Sequence, residues 1–283
     1  MKINIEAIKL NIRNHSYYYG LLGLTILLSS SILIELAKNW LQDDNYSHGF
    51  LIIPISIYLI FQQRENMLFP AKTSKEGIIL FGAGSLGLIL GIAAGEYFST
   101  RLALVMMITG FTWYYVGANN FRKIWFPFFF LLFMIPIPQT IYFAATAPMQ
   151  VFASKVTIII LNFIGVPATR TGVIINLPEY SLEVAEACSG LRSLTTLLAL
   201  SSLYAYTRMP GKLIPTLVVL LTFPIAISAN IFRIVATAIG AYAIDKSIAE
   251  DFLHIFSGSA VFISALIMVL ITGSVLKWIK NRS

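Results

Sequence analysis

The sequence predicts an all-α integral membrane protein, a polytopic helical bundle of about eight transmembrane helices with a small extracytoplasmic hairpin before the sixth. Three observations carry this expectation. The 283 residues are 57% hydrophobic and only 12% charged, with a mean hydropathy of +0.79, well outside the soluble range. Apolar runs near the length that crosses a bilayer, about 20 residues, recur along the chain. In lipid every backbone polar group must be satisfied internally, which selects helices. Finally, the excess of 20 Lys and Arg over 13 Asp and Glu collects in alternate loops, as cytoplasmic loops of membrane proteins do. The +7 charge therefore needs no nucleic-acid partner, and no basic stripe interleaved with aromatics stands out. One domain, residues 1–283, is expected.

The elements follow in order. Residues 17–36 form a first helix behind a polar, basic tail; no small-residue cleavage site follows, so the helix is expected to be retained. A polar loop, 37–48, leads to a shorter span at 49–61. The third span, 77–95, is rich in glycines that allow close helix packing. The fourth covers 102–117. Residues 119–123 read as a short basic turn, and the fifth span, 124–141, ends at Pro136 and Pro138, which cannot continue a helix. Residues 142–166 are ambiguous. Pro148 and Lys155 favour an interfacial or re-entrant element over a span. Residues 173–175 and 181–184, joined through Asn176-Leu-Pro-Glu-Tyr180, read as a β-hairpin. The sixth, seventh and eighth spans follow at 188–206, 213–244 and 254–276.

Charge orients this bundle. With both termini cytoplasmic and 142–166 returning to the outer side, the inside carries thirteen basic and three acidic residues. The outside and outer membrane half carry seven basic and ten acidic ones. The positive-inside rule prefers this arrangement to its inverse. It puts the start of the sixth span, the end of the seventh and the start of the eighth at one outer level.

Candidate chemistry lies at that level. Cys188 is the chain's single cysteine, in Glu183-Val-Ala-Glu-Ala-Cys188-Ser-Gly-Leu-Arg192. Nearby positive charge stabilises a thiolate, and Arg192 is one turn away. A buried structural cysteine is the alternative reading. Arg233 stands in the apolar seventh span, where a cation is costly and a functional or paired role is the default. Asn230 shares its face and could orient it or make an interhelical hydrogen bond. His254 opens the eighth span. His48, in Tyr46-Ser-His-Gly49, is a rival for the histidine role or an interfacial turn residue. Glu186 could pair with Arg192 or Arg233. A nucleophile, a proton-transfer group and a fixed cation are the parts acyl transfer needs. With three scattered histidines and one cysteine, no metal and no cofactor is expected.

The cysteine motif, then Ala229-Asn230-Ile-Phe-Arg233, then His254 with Gly258, resembles the exosortase family. The resemblance extends to Tyr46-Ser-His-Gly49 and Leu177-Pro-Glu-Tyr-Ser-Leu-Glu183, from about Trp40 to about Phe262. It implies a cysteine transpeptidase of the bacterial inner membrane, its active site facing the extracytoplasmic side. The implied substrates are exported proteins with a C-terminal sorting tail of a Pro-Glu-Pro motif, a membrane helix and a basic end, with an unidentified acceptor nucleophile and membrane lipid as surroundings. Many such enzymes are linked to exopolysaccharide production. The resemblance makes Cys188 the nucleophile, Arg233 the cationic stabiliser and His254 the proton-transfer residue. Archaeal relatives carry an arginine in place of His254, so the bacterial branch is implied. Two other classes remain open: a non-catalytic membrane protein of polysaccharide export or assembly, and an intramembrane acyltransferase.

Overall fold

In a computed structural model of the chain, the described residues are 20, 23–25, 27, 29–43, 46–69, 71–178, 180–184, 190–243 and 252–282. Within them, 190–193 and 252–259 are described as backbone only. Contacts divide the chain into two compact units, Met1–Pro136 and Ile137–Ser283.

The first unit contains α1 (Ser30–Gln42), α2 (Gly49–Gln62), a 3-10 turn (Arg64–Asn66), α3 (Lys75–Ala94), α4 (Tyr97–Phe130) and a second 3-10 turn (Leu131–Met134). Helix continues through Gln42, further than the polar loop at 37–48 suggested. The only buried residues of α3 are Gly77, Gly84 and Gly91, seven apart and so on one stripe. A Cβ at Gly84 would sit 2.8 Å from the Met107 nitrogen. One at Gly110 would sit 2.8 Å from the Gly77 carbonyl oxygen. The backbones of α3 and α4 therefore meet directly, without intervening side chains, over residues 97–116. Gly82, also read as a packing glycine, faces open space instead: a Cβ there meets nothing within 4 Å.

Helix α4 is broken at Gly117, whose φ of 76° and ψ of 162° suit glycine. The expected basic turn at 119–123 is helical, and the reversal occurs at Gly117 instead. Asn120 explains the shift. Its Nδ2 donates to the Leu68 carbonyl at 2.8 Å, and its Oδ1 accepts from the Leu68 N–H at 2.9 Å. A side-chain amide thus serves the loop's peptide groups and frees the chain to stay helical. Beyond the break the chain runs back along α2. Lys123 Nζ donates to the Asn66 carbonyl, Ser56 Oγ to the Pro127 carbonyl at 3.1 Å, and Trp40 Nε1 to the Met134 carbonyl at 2.9 Å. The helix stops before Pro136, as its prolines predict. Arg64, Lys72, Lys75, Arg122 and Lys123 consequently gather at one end of the unit, where Glu65 and Glu76 are the acidic residues among those described.

The second unit contains α5 (Gln139–Phe163), three short strands, α6 (Gly190–Arg208), α7 (Leu213–Ala243) and α8 (Phe252–Arg282). Residues 142–163 do not form a re-entrant pair. They belong to one continuous 25-residue helix, long and apolar enough to cross a membrane. Ala153, Ser154, Thr157 and Leu161 form its buried stripe, and Lys155 is exposed off that stripe, where its long stem can reach polar surroundings. Among the described residues α3, α5, α7 and Ala260–Arg282 of α8 have spanning length and hydropathy.

Strands β1 (Thr169–Thr171), β2 (Ile174–Asn176) and β3 (Ser181–Glu183) form an antiparallel sheet in chain order. The hairpin read from the sequence is β2–β3, with Ile175 opposite Leu182 and the Leu177 N–H closing on the Tyr180 carbonyl at 2.8 Å. Strand β1 adds to the expected hairpin; Gly172, at φ 65°, turns the chain from it into β2. The sheet is docked on helices. Ile175, Leu182 and Val184 share an apolar cluster with Ala153 and Leu161 of α5 and Ile231, Ile234 and Ala238 of α7.

Candidate active site

The site is built on α7, from the basic end of the unit outward. Lys277 Nζ of α8 donates to the Arg208 carbonyl at the end of α6 at 3.2 Å, and Tyr204 OH donates to the Leu270 carbonyl at 3.2 Å. Arg208, Lys212, Lys277, Lys280 and Arg282 therefore lie at one end, with no acidic side chain beside them among the described residues. A rise of about 1.5 Å per residue puts Arg233 roughly 30 Å along α7 from that end. Deep in the bundle, Leu197 of α6, Ala229 of α7 and Ala265 of α8 share a second apolar cluster, so the three helices meet one turn below Arg233.

Arg233 is 7% exposed, although Phe232 beside it is 69% exposed. The helix thus turns its apolar neighbour outward and its cation inward. In lipid this is the orientation to expect, yet a cation at that depth is expensive unless it serves a purpose or a pair. Asn230 and Thr237, at i−3 and i+4, lie on the same face, and Thr237 is buried. Arg233 and Asn230 both make contacts. Each also keeps one buried atom, Nη2 and Oδ1 respectively, without a hydrogen bond among the described residues.

Thr237 belongs to no motif; its position one turn beyond Arg233 is the signal the sequence carries. Arg101 is a second buried cation, marked by no motif in the sequence. It is 5% exposed, near the start of α4, with its guanidinium 5.7 Å from the Tyr97 ring centre. At the same helix start, Glu96 caps α4. The Ser99 hydroxyl and the N–H groups of Ser99 and Phe98 hold its carboxyl below the usual carboxylate range.

Other expected site residues fare differently. Cys188 and Glu186 lie outside the described residues. Arg192 is in the first turn of α6 and His254 in the first turn of α8, both as backbone only. His48 is in the first unit. Its Nε2 is 3.2 Å from the Phe133 carbonyl oxygen, a contact that ties the entry of α2 to the 3-10 turn.

The fold and site describe a class: a polytopic helical membrane protein with a cation buried in an apolar helix, opposite its basic end. A model of the transmembrane exosortase family matches residues 40–271, most of the chain and parts of both units, and the chain belongs to that family. Membership gives it, in general terms, a membrane transpeptidase role in protein sorting. No curated protein and no solved structure matches the chain significantly.

Proposed function

We propose that the protein is a cysteine transpeptidase that cuts the C-terminal sorting tail of exported proteins at the extracytoplasmic face of a bacterial inner membrane. The observation that carries this reading is the burial of Arg233 in α7 at 7% exposure, far from the unit's basic end. A fixed cation in a water-poor site stabilises developing negative charge far better than it would in water.

In this reading the Cys188 thiolate attacks the carbonyl carbon of the scissile peptide. A carbon–sulfur bond forms, and the oxyanion is held by Arg233 with Asn230 and Thr237 beside it. Collapse breaks the carbon–nitrogen bond, and the imidazolium of His254 gives its proton to the leaving amine. The resulting thioester is then taken by an acceptor amine or by water, which returns a proton to His254. Arg192 supports the thiolate from the first turn of α6. A tail with a Pro-Glu-Pro motif, a membrane helix and a basic end suits a site opening towards lipid. Its basic end fixes its depth.

The test is co-expression with an exported reporter bearing such a tail, with mass spectrometry of the processed C-terminus. Processing by the wild type and none by a well-inserted Cys188→Ala variant is expected. Normal processing by that variant would falsify the nucleophile.

A further inference from the structure

The basic end of the first unit holds a cavity of about 560 Å³ between the 68–76 segment and the break at Gly117. Lys72 and Lys75 line one side, and Asn119 and Asn120 the other. The walls are built, because Asn120 clamps both peptide groups of Leu68 and Gly117 sits directly under the Lys72 carbonyl. Glu76, the one carboxylate in the lining, is engaged by the Ser74 hydroxyl and faces Lys75 and Arg122. Its charge is thereby offset, and the cavity retains a positive field. Beside it, Leu68 is 73% exposed, Phe69 49% and Ile79 70%. The combination is a cationic pocket with an apolar rim.

We propose that this cavity holds the phosphate of an anionic phospholipid headgroup. Lys72 and Lys75 are its charge partners, the Asn119 amide is a donor, and the acyl chains lie on Leu68, Phe69 and Ile79. Free phosphate shares the headgroup's chemistry; the apolar rim favours the lipid. The site is separate from the buried Arg233 and belongs to a different unit.

The test is native mass spectrometry of the full-length protein in detergent, titrated with phosphatidylglycerol, phosphatidylcholine or inorganic phosphate. A saturable phosphatidylglycerol adduct is expected, weakened about fivefold by each of Lys72→Gln and Lys75→Gln, since a basic residue near anionic lipid contributes about 1 kcal/mol. Both lysines are exposed, so these variants should keep the wild-type melting temperature in the same detergent. Ala118→Phe, which fills the cavity without changing charge, should also lose the adduct. The pair Lys277→Gln and Lys280→Gln, at the basic end of the other unit, should leave it unchanged. Wild-type affinity in the Lys72→Gln, Lys75→Gln double variant overturns the site. So does an equal loss in the control pair, which would make the attraction diffuse, or equal binding of phosphatidylcholine. Inorganic phosphate binding as tightly as the lipid overturns the lipid assignment.

Discussion

Helices α3 and α7 both cross apolar surroundings, and they bury opposite things. Helix α3 buries glycines alone, so its partner's backbone comes into contact and nothing polar is enclosed. Helix α7 buries Arg233, Thr222 and Thr237 among its apolar residues. Close glycine packing gains dispersion at little entropic cost and makes a rigid pair. Enclosing a guanidinium does the reverse, because desolvation opposes it. The contrast separates a helix whose interface serves packing from one whose interface keeps a charge in place at a cost to stability. Chemistry is expected in the second.

The largest expected effect tests that division directly. Arg233→Ala should lower tail processing by about two to three orders of magnitude, the usual loss when one oxyanion donor is removed. Insertion and melting temperature should hold or improve. Arg233→Lys keeps the charge but loses the planar fork of donors, and a lysine there deprotonates more readily, so it should rescue only partly. The pH of half-maximal Cys188 alkylation should rise in Arg233→Ala if the cation supports the thiolate. An unchanged alkylation profile with activity lost would leave oxyanion or substrate binding as its role.

On the packing side, Gly84→Leu should destabilise the first unit by about 3 kcal/mol or more, beyond ordinary overpacking because backbone is in the way. Gly82→Leu should be nearly neutral, since a Cβ there meets open space. Thermal unfolding in detergent distinguishes them, and equal losses would show that the seven-residue stripe is not the contact. Asn120→Ala should cost about 2 kcal/mol by stripping two hydrogen bonds from the Leu68 peptide groups. Asn120→Asp should not restore it, because a carboxylate cannot donate to the Leu68 carbonyl.

The smallest effect concerns Glu96. Its folded-state pKa is depressed by the Ser99 and Phe98 donors. Its contribution is therefore present above the unfolded value, about 4.3, and is lost as pH falls through the lower folded value. Glu96→Gln should flatten the acid limb of a melting-temperature profile and leave neutral pH little changed. A parallel acid limb in the variant would show that the cap's charge does not contribute.

Several features were legible in residue order. The apolar lengths marked α2, α3, α7 and α8 closely, and Pro136 marked the stop after Met134. The alternation at 173–184 marked the β2–β3 pair. Arg233 was conspicuous because a cation in an apolar run needs a reason wherever it points. These are properties of chain chemistry over a few neighbours, and solvent partitioning decides them before any tertiary contact forms.

Other features depended on partners distant in sequence. Gly117 rather than 119–123 became the reversal because Asn120 found Leu68, 52 residues away. Residues 142–163 became one helix because Ala153 and Leu161 pack in a cluster with the sheet and α7, which outweighs the local disfavour of Pro148. Composition could not show that Gly84 carries a contact and Gly82 does not, because both have the same propensity and only the neighbouring helix tells them apart. Periodicity could align Thr237 with Arg233, but its burial required the bundle to close around α7. The sequence by itself determined where most of the long apolar helices lie and which residues are costly within them. Tertiary structure decided which faces those segments turn to one another, because that choice is made by packing between residues far apart along the chain.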